Sequence, residues 1–383
     1  MLLPNRSTLF FAGLAATALF SLGCQGLQTR RAAPVSGSVV VPSDSDSFYV
    51  YDDGGALRLA LDGTKNGELS HKSFPSAELG SPLHGATAPD LASVVYSEHL
   101  SRLSLFDNQA KWCSHGLEGL PNSIAMSEEL TAVTDGKNAK VYNEDLGTYA
   151  VWDLKDLLEA NEVSEVRYLL PLPEETFFLV STKRSGLLSR APSRVVLQIL
   201  GVEGERQKSL IALPLYQNEQ IGLDLQACSN DIDSVITAGK MAFESEGKNE
   251  YKLLVRAWST RDLSGEELLR VYWPERQNGE STSPAAEIRQ VSVQGSTIVT
   301  VHEDDMAYVF DADAERLLWS GEGVSSATIM ENGSVVVSGP TGLRGVMDAG
   351  GSVMASPSDR VDRAVEAMNE TVEDVVEEVT AEE

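Results

Sequence analysis

Four closely spaced carboxylates near the start of the repetitive part of the chain could bind a cation. They are Asp44 and Asp46, followed by Asp52 and Asp53. Ca²⁺ takes six to eight oxygen ligands, and this group lacks the spacing of an EF-hand loop and its bidentate glutamate. Aspartates in such positions are also typical of polar turns. The sequence leaves both interpretations open and favours turns.

A basic group lies further along the chain, on a predicted loop from Thr182 to Arg194 that contains no acidic residue. Its cations are Lys183, Arg184, Arg190 and Arg194. The chain as a whole has a formal net charge of −27, so a local excess of positive charge is unusual. The group could dock an acidic partner or phosphate groups, or it could be a solvated loop that offsets the acidic field of the molecule.

No catalytic, cofactor-binding or metal-binding motif is recognisable. A nucleophile elbow, an HExxH pair, a P-loop and an EF-hand loop are all missing from the sequence. The histidines are scattered, without metal-ligand spacing, and we expect them in loops or at the surface. They are His71, His84, His99, His115 and His302. We therefore expect a protein that is not an enzyme.

The elements that position these residues form a repeat. From residue 38 to 355, units of four short β-branched or aromatic runs are separated by turn residues. In the clearest unit the runs are 288–293, 297–301, 307–311 and 316–319. This pattern predicts a four-stranded antiparallel meander. Seven such units start roughly 50 residues apart, close to the period of propeller blades.

Stacking four-stranded sheets around an axis covers their faces and shortens their exposed edges, so the repeat predicts an all-β fold, a β-propeller of seven blades. Six or eight blades remain possible. The first unit shows only runs 38–41 and 49–52, interpreted as its inner pair, and we expect closure of the ring by a strand from the other chain end. The tryptophans at the ends of fourth runs are expected to pack between blades. These are Trp112, Trp152, Trp273 and Trp319.

Cys113 and Cys228 fall in the second and fifth units. A disulfide requires Cα atoms within about 7 Å, and these units should lie far apart. We therefore expect Cys113 and Cys228 to be free, largely buried thiols.

The N-terminus resembles the signal peptide of a bacterial lipoprotein. An apolar run at 9–20 is too short to span a bilayer and has the length of a signal h-region. It leads to Gly23-Cys24, although Ser21 and Leu22 stand in swapped order relative to the usual lipobox. The resemblance implies a signal peptide at 1–23, a lipidated Cys24 and a tether at 24–37. Gln25 after the cysteine favours an outer membrane, facing the periplasm.

The repeats themselves resemble two propeller families. The run 308–319, Tyr-Val-Phe-Asp-Ala-Asp-Ala-Glu-Arg-Leu-Leu-Trp, is similar to a quinoprotein-type repeat, with Glu315 in place of the turn glycine. Val151-Trp152-Asp153-Leu154 is more similar to a WD repeat. Quinoprotein dehydrogenases carry an adjacent cysteine pair, which is missing here and argues against a bound quinone. We expect no cofactor.

The C-terminal segment, 356–383, is predicted to be an acidic amphipathic helix. Ser356-Pro357-Ser358-Asp359 is a helix start, and apolar residues follow at heptad spacing among many acids. The apolar seam consists of Val361, Val365, Met368, Val372, Val375 and Val379. An isolated helix of this composition is marginal in water, so a frayed tail and a helix that folds on a basic or apolar partner are both open.

These features together resemble, in layout, the propeller lipoproteins of the outer-membrane β-barrel assembly machinery. The expected function is that of a lipid-anchored, non-catalytic protein-interaction scaffold in the cell envelope, with other envelope proteins as partners. Binding of nucleic acid is not expected, because the strongly acidic chain repels phosphate backbones. The alternative is a propeller hydrolase or lyase, or a small-molecule sensor, that uses the central channel.

Overall fold

A computed structural model describes the repetitive part of the chain. The described residues are 38–51, 55–70, 82–105, 109–154, 156, 163–184, 194–212, 220–231, 233–245, 248–278, 281–340, 342–348 and 352–355. Among them, no helix is both long enough and apolar enough to cross a membrane. Cys24, Arg190 and the predicted C-terminal helix lie outside the described residues.

The chain is a β-propeller of seven four-stranded blades, as the repeat predicted. Every blade is an antiparallel meander with its strands in sequence order. Blade 1 comprises β1 (Val39–Pro42), β2 (Ser47–Tyr51), β3 (Gly55–Ala60) and β4 (Lys65–Ser70). Blade 2 comprises β5 (Pro82–Ala88), β6 (Leu91–Tyr96), β7 (His99–Ser104) and β8 (Gln109–Ser114). Blade 3 comprises β9 (Ser123–Met126), β10 (Thr131–Thr134), β11 (Asn138–Tyr142) and β12 (Thr148–Asp153).

The strands are longest in the two blades that follow. Blade 4 comprises β13 (Val163–Leu172), β14 (Thr176–Arg184), β15 (Arg194–Leu200) and β16 (Arg206–Ala212). Blade 5 comprises β17 (Gln220–Asp231), β18 (Ser234–Ser245), β19 (Lys248–Ser259) and β20 (Gly265–Tyr272). A separate hairpin, β21 (Glu275–Asn278) and β22 (Ser281–Pro284), follows blade 5.

The last two blades return to short strands. Blade 6 comprises β23 (Ile288–Gln294), β24 (Thr297–His302), β25 (Ala307–Asp311) and β26 (Arg316–Gly321). Blade 7 comprises β27 (Ser326–Ile329), β28 (Val335–Gly339), β29 (Gly342–Met347) and β30 (Val353–Ala355). In blade 6, Glu315 adopts a φ of 47° in the turn where the quinoprotein-type pattern has glycine.

Seven apolar clusters hold the ring together, one at each junction between neighbouring blades. The inner strands are apolar on both sides because each sheet is covered by a blade on either face. The four tryptophans contact these clusters as predicted. Trp152 of blade 3, for example, meets Phe177 of blade 4 edge-on, with 4.8 Å between ring centroids. Aromatic packing of this kind adds about 1 kcal/mol beyond the buried area.

Closure of the ring differs from the expectation. Blade 1 has its own first strand, β1, and blade 7 its own fourth strand, β30, so neither borrows a strand from the other chain end. Runs 38–41 and 49–52 thus correspond to the first and second strands, not to an inner pair. The two blades are joined instead by a shared apolar cluster and by hydrogen bonds around Ser38.

Buried serines make this junction. The Ser38 Oγ donates to the carbonyl of Gly339 at 2.8 Å. Its own carbonyl accepts from Ser325 Oγ at 2.9 Å and from Ser338 Oγ at 2.8 Å. Ser326 Oγ accepts from the Val40 amide at 3.3 Å. Small hydroxyl side chains thereby replace the strand pairing that an exchanged strand would provide.

One other detail of the predicted elements is corrected. The predicted loop from Thr182 to Arg194 is shorter, because β14 continues through Arg184 and β15 already begins at Arg194. Cys113 and Cys228 are free thiols, as expected, and both are partly buried.

Candidate interaction surface

One face of the ring carries the turns between second and third strands together with the connections from blade to blade; we name it the connection face. These features share a face because successive antiparallel strands alternate in direction. Blade 5 projects furthest there. Its three inner strands have 12 residues each, and the β18–β19 pairing continues to Ser245 and Lys248.

Two exposed tyrosines lie on this projecting part of blade 5. Tyr251 of β19 is 44% exposed and Tyr272, the last residue of β20, is 67% exposed. Exposed aromatic side chains with polar tips are enriched in protein interfaces, where they supply large contact area at low entropic cost. The pair therefore marks this blade as a candidate binding surface.

A lysine lies over each tyrosine ring. The Lys240 Nζ is 4.6 Å from the Tyr251 ring centroid and 4.7 Å from that of Trp273. The Lys252 Nζ is 5.0 Å from the Tyr272 centroid, and these two residues are cross-strand partners. Cation–π contacts at exposed sites contribute about 0.5–1 kcal/mol each. They hold the ammonium groups in place. Because side chains alternate along β19, the Lys240–Tyr251 pair lies on the sheet face towards blade 6 and the Lys252–Tyr272 pair on the face towards blade 4. We name these two pairs together the lysine–tyrosine surface.

Trp273 fixes this surface to blade 6. Its indole Nε1 donates to the Ala285 carbonyl at 2.9 Å, and its amide donates to the Tyr251 carbonyl at 2.9 Å. Its ring meets His302 edge-on at 5.7 Å, and His302 in turn meets Tyr308 at 5.0 Å. The Lys240–Tyr251 pair consequently rests on a rigid aromatic support.

His302 is a core residue rather than the loop residue that was expected. It is fully buried, with its Nδ1 2.7 Å from the Ala286 carbonyl and its Nε2 3.0 Å from Thr300 Oγ1. Burial lowers the pKa of His302 to about 4. His115 is likewise buried, and it lies 3.0 Å from the Ser97 carbonyl.

The predicted basic group falls at the same face, on blade 4. Lys183 and Arg184 end β14, and Arg194 begins β15. Lys183 is the cross-strand partner of Arg194. Arg190 and the predicted tail residues lie outside the described part of the chain, so their placement stays a prediction.

Polar side chains along the central channel join neighbouring blades. The inner strand of each blade has one edge without a strand partner, whose backbone groups need other hydrogen bonds. Gln226 of blade 5 accepts from the Ile288 amide at 2.7 Å. Gln290 of blade 6 donates to the Ala327 carbonyl at 2.7 Å and accepts from its amide at 3.2 Å. These amide side chains therefore hold neighbouring blades together.

An arginine and a neutral histidine lie near the channel opening on the connection face. Arg289 donates to the Val324 and Ser325 carbonyls and lies 3.3 Å from the Asp305 carboxylate. Burial, with a smaller contribution from the charge of Arg289, lowers the pKa of His84 to about 4. Within the described ranges, no group of three or more His, Cys, Asp or Glu side chains could hold a metal ion.

The candidate calcium site is a turn where the structure describes it. Asp44 accepts a hydrogen bond from Ser47 Oγ at 2.8 Å and pairs with Arg58 at 2.6 Å. Burial opposes ionisation of Asp44, but these hydrogen bonds prevail and lower its pKa. Asp52 and Asp53 lie outside the described residues.

The lysine–tyrosine surface was missed by the sequence analysis. A signal for it exists in Tyr272-Trp273, where a second aromatic residue precedes the expected inter-blade tryptophan. In Tyr251-Lys252 an aromatic and a basic residue stand side by side. Their proximity depends on strand register, which the runs alone do not reveal.

Comparisons with known proteins give distant similarities to solved structures. No protein-family model matches the chain, and no curated protein does. The WD40 repeats of RRP9 superpose with a TM-score of 0.48 at 14% identity, over 80% of this chain and 88% of that one. BamB from Moraxella catarrhalis superposes with a TM-score of 0.44 at 12% identity, over 82% of this chain and 94% of that one. PorZ, a bacterial surface component of the type-IX secretion system of Porphyromonas gingivalis, superposes with a TM-score of 0.48 at 11% identity. The superposition covers 85% of this chain and 38% of that one.

Proposed function

We propose that this chain is a non-catalytic, lipid-anchored protein-interaction scaffold of the cell envelope. The observation that carries the proposal is the pair of exposed tyrosines on blade 5, Tyr251 and Tyr272, each beneath a lysine ammonium group. Exposed aromatic rings next to fixed charges combine the two features that interface hot spots share, apolar contact area and directional polar contacts.

The rigidity of the propeller supports a role in binding. Seven inter-blade clusters and the Gln226 and Gln290 bridges fix the blades relative to one another. A surface that is already ordered loses little conformational entropy on association. The partner is expected to be another envelope protein with an apolar, acidic contact patch, because the surface offers tyrosines and lysines.

The proposed anchor is Cys24, carrying a diacylglyceryl group and an N-acyl chain on an outer membrane facing the periplasm. Each buried methylene contributes about 0.8 kcal/mol, and several chains give stable attachment. Because β1 starts at the connection face, the preceding chain joins the propeller there. The 14 residues 24–37 reach at most about 50 Å. Binding would therefore take place close to the bilayer.

Site-specific photo-crosslinking in intact membranes tests the scaffold. A benzophenone amino acid replaces Tyr272 in one variant and Val151 in the control. Val151 is 57% exposed on the outer strand of blade 3. We expect a discrete crosslinked species from position 272 alone, which Tyr251→Ala reduces at least fivefold, as expected when a hot-spot side chain is truncated. Equal crosslinking from both positions, or none from 272, contradicts the proposal.

The anchor is tested separately. Incorporation of an alkyne-labelled fatty acid is expected in the native chain and not in Cys24→Ser, which should leave the membrane fraction. Labelling that survives this substitution would rule out Cys24 as the attachment point.

A further inference from the structure

A small cleft lies at the junction of blades 4 and 5. Blade 4 contributes Val195 to its wall, and blade 5 contributes leucines from β17 and β19. Thr237 of β18, with Arg256 and Trp258 of β19, adds polar and aromatic groups. Thr237 and Arg256 are directly opposed across the two strands, so their side chains share the sheet face towards blade 4. The space between these residues holds about one water-sized group.

Arg256 is the one charged residue among the described residues that line the cleft. Its Nε is buried and has no hydrogen-bond partner within the described ranges. Its cross-strand partner on β20 is Glu267, but that carboxylate pairs with Arg270 at 2.5 Å. Burial lowers the pKa of Arg256, and the charge of Glu267 opposes this effect. A desolvated cation with an unsatisfied N–H group favours an anionic ligand.

The guanidinium group of Arg256 is held in place by Trp258. Its central carbon lies 4.6 Å from the centroid of the indole ring. The indole Nε1 donates to Thr237 Oγ1 at 2.9 Å. Gly265 packs directly against the ring, because a Cβ at that position would lie 2.3 Å from the Trp258 Cζ3. The ring is thus fixed on two sides, and the cation above it is positioned before any ligand binds.

The donors of the cleft match a carboxylate. A guanidinium group binds a carboxylate through two parallel N–H···O hydrogen bonds. Thr237 Oγ1 accepts its hydrogen bond from the indole, so its own hydroxyl hydrogen is available to a second acceptor. The leucine side chains around these donors suit an apolar group, and the size of the space limits that group to a methyl or an ethyl.

We propose that the cleft between blades 4 and 5 is a binding site for short-chain monocarboxylates such as acetate and propionate. The carboxylate binds Arg256 and Thr237, and the alkyl group contacts Leu225 and Leu254. Acetate has four non-hydrogen atoms, and the best ligand efficiencies then correspond to a Kd of about 40 μM at the tightest. The site is therefore suited to ligands present at millimolar concentration. It does not require the protein partner of the proposed function.

Nuclear magnetic resonance of the full-length chain tests the site through the Trp258 indole N–H signal, assigned with Trp258→Phe. Sodium acetate and sodium propionate are added up to about 20 mM at constant pH and ionic strength. We expect the signal to shift with saturation at a Kd of about 1 mM. The indole signals of Trp152 and Trp319, in blades 3 and 6, should keep their positions and thereby report an intact fold.

Two further ligands define the chemistry of the site in the native chain. Acetamide, which has the shape of acetate without its charge, should bind at least tenfold more weakly than acetate. Pivalate has the charge but a branched alkyl group, and it should also bind at least tenfold more weakly, because the space accepts one methyl-sized group. This comparison needs no variant.

Arg256→Gln removes the cation and should weaken acetate at least tenfold. The matched control is Arg261→Gln, which removes the same charge from an exposed ion pair with Asp233 in the same blade and should leave the Kd unchanged. Any of three results would overturn the proposal: no saturating shift with either carboxylate, acetamide or pivalate as effective as acetate, or an equal Kd in Arg256→Gln and the native chain. Crosslinking from position 272 is independent of these titrations, so either proposal can fail without the other.

Discussion

The junction between the first and last blades predicts a specific pattern of stability losses. The buried carbonyl of Ser38 accepts hydrogen bonds from both Ser325 Oγ and Ser338 Oγ. Replacing either donor with alanine leaves the carbonyl one partner, whereas replacing both leaves it neither of these hydroxyl donors. The double variant should therefore lose more stability than the two single variants added together.

The magnitude can be worked from typical hydrogen-bond energies. Each single variant loses one net hydrogen bond, about 1 kcal/mol. The double variant also leaves the buried Ser38 carbonyl without these partners. We therefore expect its free energy of unfolding to fall by about 3 kcal/mol, of which about 1 kcal/mol is coupling between the two substitutions. For about 320 residues the unfolding entropy is about 0.7 kcal/mol/K. The melting temperature should therefore fall by about 1.5 °C in each single variant and by about 4 °C in the double variant.

Thermal and urea unfolding of the wild type, Ser325→Ala, Ser338→Ala and the double variant measure this coupling. Ser114→Ala is the matched control, because Ser114 Oγ also donates to a carbonyl, that of Glu98 at 3.3 Å, but at an exposed position. The Ser114→Ala substitution should change the free energy of unfolding by less than about 0.5 kcal/mol. Strict additivity of the two buried substitutions, or a double variant as stable as the control, would refute the role of these serines in closing the ring.

Two further predictions concern buried titrating groups. Burial lowers the pKa of His302 to about 4 from its ordinary 6.5, so as the pH falls the unfolded chain takes up this proton before the folded chain does. The free energy of unfolding is therefore highest above pH 6.5 and decreases as the pH falls towards 4. Urea unfolding of the wild type should show up to about 3 kcal/mol more loss than His302→Gln over this window, and parallel curves would contradict the assignment. Burial raises the pKa of Cys113 to about 11 and that of Cys228 to about 12. Iodoacetamide at pH 8 should therefore label both thiols far more slowly in the folded protein than in urea, and equal rates in both states would show that the thiols are not held in apolar surroundings.

The architecture was predictable because short meander strands leave a regular record in the sequence. In blade 6 the runs predicted at 297–301 and 307–311 match β24 and β25 to within one residue. Buried inner strands are continuous β-branched runs bounded by turn residues, and that pattern depends on local composition. The inter-blade tryptophans were predictable for the same reason, since each recurs at one place in the repeat.

What the sequence could not reveal depends on register and on contacts distant in the chain. The extension of β18 and β19 to 12 residues each includes polar and charged positions that do not differ from loop composition. The proximity of Lys240 to Tyr251 and Trp273 requires three strands in one particular register. The first strand of blade 1 was misplaced because its partner on the other side is blade 7, which the local pattern does not indicate.

Ring closure through Ser38 also sets a time order for folding. The hydrogen bond from Ser38 to Gly339 joins residues 301 positions apart, so blade 1 has no neighbour on one side until nearly the whole chain has been synthesised. At about 5–20 residues per second, that interval is on the order of 15–60 s. During it, the apolar side of blade 1 that later meets blade 7, with Phe48 and Val50, has no native cover. The nascent chain should therefore depend on holding chaperones until its last blade emerges.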